Sequence, residues 1–358
     1  MKNIIFLTNV DWFYDMHIRA LERGISEFFK PLIIVGDSGY FLNYDVEKFS
    51  IKSRIPKAKA FFKLHKILSS KKTQIPIIVI TPVMIILFHF LFPRRKHVYY
   101  YFTGLGFLRN LSKNNLKILF NLLKIFPFAG KRIIVTQNKV DYEFMQNEFI
   151  LRKKIKVTLI PGCGFKIEKP LTIEYEKRRK NCFGYVGRIR KEKGIIELIK
   201  AVNELKSEKH EIDLKIWGEM DDENRHGFNK EEISFLNTNN KYFKGFSTNK
   251  QEIYQSFDWF CLPSNGEGLS MSAIEASAYS KPMILSNVPG NSDMINGNGF
   301  LFEFGDLLDI KNQILSAINL NDDEFQKMGK ISRKLFEQKW SLEKVTESWL
   351  SLIKENSK

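Results

Sequence analysis

Apolar residues in this chain follow two spacings that take turns. Short unbroken runs, Ile4–Thr8, Leu32–Val35, Ile77–Ile80, His97–Phe102 and Arg132–Thr136, have the length of buried strands. Between them lie stretches such as His17–Phe29 and Lys139–Glu148, where apolar residues recur at helical spacing. The alternation predicts a parallel sheet with helices on its faces. After Val157–Ile160 comes a charged run, Glu168–Lys180, which reads as a linker. The pattern then restarts, with strands at Cys182–Val186, Leu214–Trp217, Tyr242–Phe243, Phe257–Leu262 and Pro282–Leu285. Helical stretches fall at Ile195–Leu205, Met271–Tyr279 and over most of Ile331–Ile353. In the last of these, Leu342, Val345, Trp349 and Leu352 share a face behind Ser341, a candidate cap. A chain of 358 residues has room for two such α/β domains.

One run needs arbitration. Ile75–Phe92 is nearly all apolar and is followed by Arg94, Arg95 and Lys96, which fits a marginal membrane span. Pro76, Thr81, Pro82 and His89 interrupt it, however. The preferred reading is a strand over Ile77–Ile80, a turn, and a helix with Pro82 at its first position. The opening MKNIIFLTNVDW has too short an apolar core for a signal peptide and reads as a first strand. The three cysteines, Cys163, Cys182 and Cys261, show no CxxC spacing, which points away from zinc or a disulfide framework and toward a reducing compartment.

Charge changes the picture of the first half. From Phe49 to Val140 there are eighteen Lys or Arg and no Asp or Glu, so the net charge of +16 belongs to that stretch. Such a surface suits nucleic acid, anionic lipid or a phosphorylated substrate. Within it, Phe107–Phe128 has helical spacing with Arg109, Lys113, Lys117 and Lys124 interleaved. A solvated basic face and an interfacial helix lying on anionic lipid both fit; the long acid-free stretch favours the second.

The chemistry gathers at strand ends. Ser264–Pro282 reads SNGEGLSMSAIEASAYSKP: a glycine-rich loop between a strand and a helix, with Glu267 and Glu275 eight positions apart. Glycines let the backbone approach a ligand, and a helix N-terminus favours an anion. Ser272 and Glu275 also have capping-box spacing, so Glu275 could simply cap its helix. The strand Cys182–Val186 ends in Gly187-Arg188, and Lys193 follows in the turn KEKG. Arg188 and Lys193 beside that loop form a candidate diphosphate clamp. In the first half, Thr103-Gly104-Leu105-Gly106 ends a strand, where ligands of open α/β sheets collect. Asp221-Asp222-Glu223 reads as a solvated loop rather than a metal motif.

In order and spacing, Gly184-Tyr185-Val186-Gly187-Arg188, Lys193-Gly194, Glu267-Gly268-Leu269-Ser270 and Glu275-Ala276 resemble glycosyltransferase family 4, of the GT-B fold. The resemblance covers essentially the whole chain. Trp12–Arg19, Thr103–Gly106 and Ile160–Gly164 look like the subgroup that builds bacterial surface polysaccharides and lipid-linked oligosaccharides. It implies two Rossmann-like domains with parallel sheets facing a central cleft: residues 1–166 for acceptor and membrane, 167–340 for the nucleotide sugar, and 341–358 as a helix crossing back to the first domain. It implies a retaining, metal-independent hexosyltransferase without cofactor, using a nucleoside diphosphate sugar, preferably a UDP-sugar. Arg188 and Lys193 would neutralise the leaving diphosphate. Glu267 would meet donor-sugar hydroxyls and Glu275 the ribose. Gly187, Gly268, Leu269 and Ser270 would help hold the donor, and Gly245 and Phe246 the base. His17 would reach acceptor or leaving phosphate, with Thr103, Gly104 and Gly106 on the acceptor side. The expected partners are a lipid-linked glycan acceptor and an anionic membrane surface, with no nucleic acid, at the cytoplasmic face of the cell membrane. A nucleotide-sugar 2-epimerase of similar fold and a non-catalytic membrane- or nucleic-acid-binding module are the alternatives.

Overall fold

A computed structural model describes residues 2–8, 18–37, 47–50, 66, 68–69, 74–93, 95–105, 131–149, 154–167, 181–220 and 227–356. The chain divides into two compact units, one of residues 1–166 with 342–358, the other of residues 167–341. His17, Gly106, the basic stretch Phe107–Phe128 and Asp221–Glu223 lie outside the described residues.

The first unit is built on a seven-stranded sheet in the order β3-β2-β1-β4-β5-β6-β7, all pairs parallel. The strands are β1 (Lys2–Thr8), β2 (Phe29–Asp37), β3 (Glu47–Ser50), β4 (Ile77–Ile80), β5 (Val98–Phe102), β6 (Arg132–Thr136) and β7 (Ile155–Leu159). β4, β5 and β6 are buried at every position, which accounts for unbroken runs such as IIVI and VYYYF instead of alternation. The ambiguous apolar run resolves into β4 and helix α2 (Pro82–Leu91), following α1 (Arg19–Ser26). No helix among the described residues is long and apolar enough to cross a membrane.

Several elements start one or more residues from where the pattern predicts, and two of these shifts have a visible cause. β2 begins at Phe29, so it includes Pro31, which cannot donate to a ladder. β3 pairs only with Ile34–Asp37, so the position of Pro31 faces no β3 partner that would need its donor. The first helix spans Arg19–Ser26 instead of His17–Phe29, because Phe29 is already paired with Lys2.

The basic stretch is not all surface. Arg132 is fully buried and Arg95 nearly so. Arg132 donates to the carbonyls of Arg95 (2.7 Å), Pro93 (3.1 Å) and Phe92 (3.3 Å), gathering the chain that leaves α2. Arg95 donates in turn to the Leu68 carbonyl at 3.1 Å. A helix C-terminus leaves carbonyls without internal partners and favours a cation. These two charges therefore serve the fold and are not part of the one-signed surface that the acid-free stretch suggests.

Next to them His89 is buried, with Nδ1 3.1 Å from the Tyr100 hydroxyl. Burial and the Arg132 charge lower its pKa from 6.5 to about 4. Between those values the unfolded chain binds a proton that the folded chain refuses, so stability falls as pH drops from about 6.5 toward 4. His89→Phe should flatten that limb of the stability–pH curve, worth on the order of 2 kcal/mol. Urea unfolding at pH 7 and pH 4.5 checks this; an unchanged slope would remove His89 from the acid response.

The last helix, α10 (Leu342–Glu355), belongs to this first unit. Leu342 N donates to the Phe165 carbonyl at 3.0 Å. The face carrying Val345, Trp349 and Leu352 is buried, and Trp349 meets Tyr101 edge-on at 5.1 Å. α10 packs on α1 so closely that a side chain at Gly24 would strike Thr346.

The second unit carries a six-stranded parallel sheet in the order β10-β9-β8-β11-β12-β13. Its strands are β8 (Cys182–Val186), β9 (Asp213–Trp217), β10 (Phe243–Gly245), β11 (Trp259–Leu262), β12 (Met283–Ser286) and β13 (Gly299–Phe302). The helices, in chain order after α3 (Lys139–Phe149) of the first unit, are α4 (Ile195–Ser207), α5 (Lys230–Thr238), α6 (Lys250–Gln255), α7 (Met271–Ala278), α8 (Leu307–Ile318) and α9 (Asp322–Leu335). Each unit is thus a Rossmann-like domain.

Candidate active site

From β8 the second sheet is built one way toward β9 and the other way toward β11. β8 and β11 are therefore the neighbouring strands at the switch point of the sheet, whose carboxyl ends are where ligands of open α/β sheets collect. Both motifs singled out in the sequence fall there.

β8 ends on a tied strand end. Gly187 N donates to the Trp217 carbonyl at 3.0 Å, and the Tyr185 hydroxyl to the Arg188 carbonyl at 2.8 Å. Tyr185 is fully buried; burial first, then the charge of Glu267, pushes its phenol well above the ordinary range. It is therefore a fixed donor between strand end and loop. Arg188 itself is exposed.

The following turn, Lys191–Lys193, closes on Gly194 in the left-handed region (φ 68°, ψ 22°). A Cβ there would run into the Pro263 carbonyl. The turn also accepts from the Gly-rich loop, Asn265 N donating to the Glu192 carbonyl at 2.8 Å. Glycine thus lets the turn lie directly on the loop after β11. Lys193 Nζ reaches Glu267 Oε1 at 2.5 Å, the two side chains only 20% and 13% exposed.

Beneath the loop lies a buried polar floor that the sequence reading passed over. Ser286 Oγ donates to the Ser264 carbonyl at 2.5 Å, and Asn291 Nδ2 to Ser286 Oγ at 3.0 Å. Gly290, at φ 84°, lies against the backbone carbonyls of Glu267 and Gly268. These contacts set the height of the loop over the sheet.

The loop runs into α7, whose N-cap is Ser270, its Oγ accepting from Ala273 N at 3.4 Å. This corrects the capping-box alternative. Ser272 is already inside the helix, and Glu275 is too far along it to reach the terminal amides. Glu275 is instead buried and turned to α6. Its Oε2 accepts from Lys250 Nζ at 2.9 Å and from the Tyr254 hydroxyl at 2.8 Å. Neither partner was read from the sequence; their i, i+4 spacing on one helix was the available signal.

At the next strand ends, Gly218 N donates to the Gly245 carbonyl at 2.9 Å, and Phe246 is 67% exposed. Gly187, Gly245, Phe246, Gly268, Leu269, Ser270 and Glu275 therefore all lie at strand ends or loops on the carboxyl edge of this sheet or in the helix leaving it. In the first unit, Thr103 and Gly104 follow β5 as read. Their turn is fixed by Leu105 N donating to buried Asp141 Oδ2 at 3.1 Å, which also accepts from Asn138 Nδ2 at 2.8 Å. Among the described residues no group of three or more His, Cys, Asp or Glu is gathered as metal ligands.

Comparison with known proteins meets this geometry. Residues 171–335 match the family model described as glycosyl transferases group 1. A capsular polysaccharide biosynthesis glycosyltransferase of Staphylococcus aureus is 29% identical over 66% of the chain and 64% of its own length. The N,N'-diacetylbacillosaminyl-diphospho-undecaprenol alpha-1,3-N-acetylgalactosaminyltransferase of Campylobacter jejuni is 28% identical over 55% of the chain and 52% of its own length. The chain thus spans less than two thirds of these relatives. The crystal structure of Anabaena HepE with UDP and glucose superposes with a TM-score of 0.74 at 16% identity, covering 98% of this chain and 99% of that one. This is a likeness of fold, and the fold is GT-B.

Proposed function

We propose that this chain, whose residues 171–335 match the family model of group 1 glycosyl transferases, moves a sugar from a nucleoside diphosphate donor to a growing surface glycan. The relatives named in capsule biosynthesis and in transfer to a diphospho-undecaprenol acceptor support this reading. The single observation that carries it is the Lys193–Glu267 ion pair at the switch point. It draws together a cation after β8 and a carboxylate after β11, beside a capped helix N-terminus.

The roles follow from charge. As the bond to the sugar breaks, negative charge grows on the departing diphosphate. Arg188 and Lys193 neutralise it, with help from the amides of Gly268, Leu269 and Ser270. Glu267 takes hydrogen bonds from sugar hydroxyls, and Glu275 from the ribose. The Gly245–Phe246 loop holds the base, uracil by analogy with the UDP bound to the Anabaena protein. The chemistry is that of family 4, with retained anomeric configuration and no metal. Thr103 and Gly104 belong to the acceptor side, with His17 and Gly106. The acceptor is lipid-linked, and the cations of the first unit that stay on the surface attract both its anionic head and the cytoplasmic leaflet.

A screen of nucleoside diphosphates for thermal stabilisation tests the donor half. One of them should raise the melting temperature of the wild-type chain. Arg188→Ala and Lys193→Met should each weaken that binding by about tenfold or more, the loss of a hydrogen bond to a charged group. Undiminished binding in both variants would remove the clamp from the account.

A further inference from the structure

Helix α6 carries two side chains that end on one oxygen. Lys250 and Tyr254 stand one helical turn apart and both donate to Glu275 Oε2. The two are unlike. Tyr254 is fully buried, its ring stacked on Tyr279 at 5.1 Å and edge-on to Phe257 at 5.8 Å. Packing therefore aims the hydroxyl, whose proton also lies within reach of the Ser272 carbonyl at 3.0 Å. Burial and the charge of Glu275 raise this phenol well above its ordinary range, so it stays a donor. Lys250 is a partly exposed cation, its side chain 40% exposed against 10% for Glu275. Together they occupy Oε2, while Oε1 takes no hydrogen bond among the described residues.

We infer that Lys250 and Tyr254 are positioning residues for donor recognition, holding Glu275 by Oε2 so that Oε1 accepts from the vicinal diol of a ribose. The inference rests on the reading that Glu275 meets the donor's ribose. A carboxylate held by one oxygen keeps one orientation, and a diol is recognised only if the second oxygen points at it. The pair thereby sets a preference for ribonucleotide over 2′-deoxyribonucleotide donors. Tyr254 supplies direction and Lys250 the charge that keeps the carboxylate from swinging toward water.

The test is calorimetric titration of the full chain with UDP, ADP, GDP and CDP and with the 2′-deoxy form of each. The wild type should bind its preferred ribonucleoside diphosphate about tenfold or more tightly than the 2′-deoxy counterpart. Glu275→Ala should abolish the preference. Tyr254→Phe and Lys250→Met should each reduce it to about threefold or less, and Lys250→Arg should restore it. A merely structural role would lower the melting temperature and leave the ratio untouched. Should Glu275→Ala lose the preference while Tyr254→Phe and Lys250→Met keep it, the inference fails and the role of Glu275 stands. Should Glu275→Ala keep the preference, or no nucleoside diphosphate bind the wild type, the underlying reading fails and the inference with it. Lys250 is partly exposed, so its variants fold even if removal of the buried Tyr254 hydroxyl disturbs the core.

Discussion

Glu267→Gln should lower sugar transfer by about 10²–10³-fold, the scale of removing one preorganised electrostatic contact to a transition state. Binding of the nucleoside diphosphate should stay within about threefold of wild type, because that ligand meets the clamp and not the sugar contact. Glutamine keeps the shape of the side chain and a carbonyl acceptor. What it loses is the charge that strengthens hydrogen bonds to sugar hydroxyls and balances Lys193, 2.5 Å away. The glutamine carbonyl still accepts from Lys193, so the fold loses only the difference between a charged and a neutral hydrogen bond, about 1 kcal/mol. The variant should therefore melt close to wild type and still bind nucleotide, but transfer poorly. Single-turnover transfer measured beside nucleotide affinity separates the two. Transfer within about tenfold of wild type would take Glu267 out of the reaction.

The second large effect is expected at Gly194, where no reacting group is present. Gly194→Val places a β-branched residue at φ 68° and drives its Cβ into the Pro263 carbonyl. Left-handed strain costs about 1–3 kcal/mol, and the displaced contact adds to it. A total of about 3 kcal/mol lowers the melting temperature by roughly 6–12 °C for a domain of this size. The damage is also functional. The turn that holds Lys193 must move off the loop that holds Glu267, so nucleotide affinity falls with stability. Gly194→Ala should show the same pattern, smaller. Calorimetry beside a nucleotide titration checks both. Intact stability in the valine variant would mean that the turn does not lie on the loop.

How much of this could be read from sequence depended on distance along the chain. Strands such as Ile77–Ile80 and Arg132–Thr136 announce themselves, because a strand buried on both faces is an unbroken apolar run. β3 does not: Glu47–Ser50 reads EKFS and is a strand only because the edge of β2 offers it partners. The Gly187-Arg188 strand end, Lys193 and the Glu267 loop were legible as one candidate clamp, but not the direct contact within it. That contact, Lys193 with Glu267, joins residues 74 apart and needed the fold. Glu275 was legible as a candidate, but Ser-x-x-Glu spacing suggested a cap two residues too late, within the usual uncertainty of a helix boundary. Tyr254 was silent, since its partner lies 21 residues on and its own neighbourhood reads as an ordinary helix. Arg132 misled outright. In a stretch without acids it counted as surface charge, and only the carbonyls leaving α2 explain why it is buried.

The central claim is that the residues at the carboxyl ends of β8 and β11 break a donor bond and hand the sugar on. The most direct measurement incubates the full chain with a panel of sugar-labelled nucleotide sugars and a lipid-linked glycan extract, and follows the labelled sugar by mass spectrometry. The account predicts release of the nucleoside diphosphate with the label in the glycan, lost in Glu267→Gln. Labelled nucleotide sugar recovered as its 2-epimer, with no label in the glycan, would contradict it.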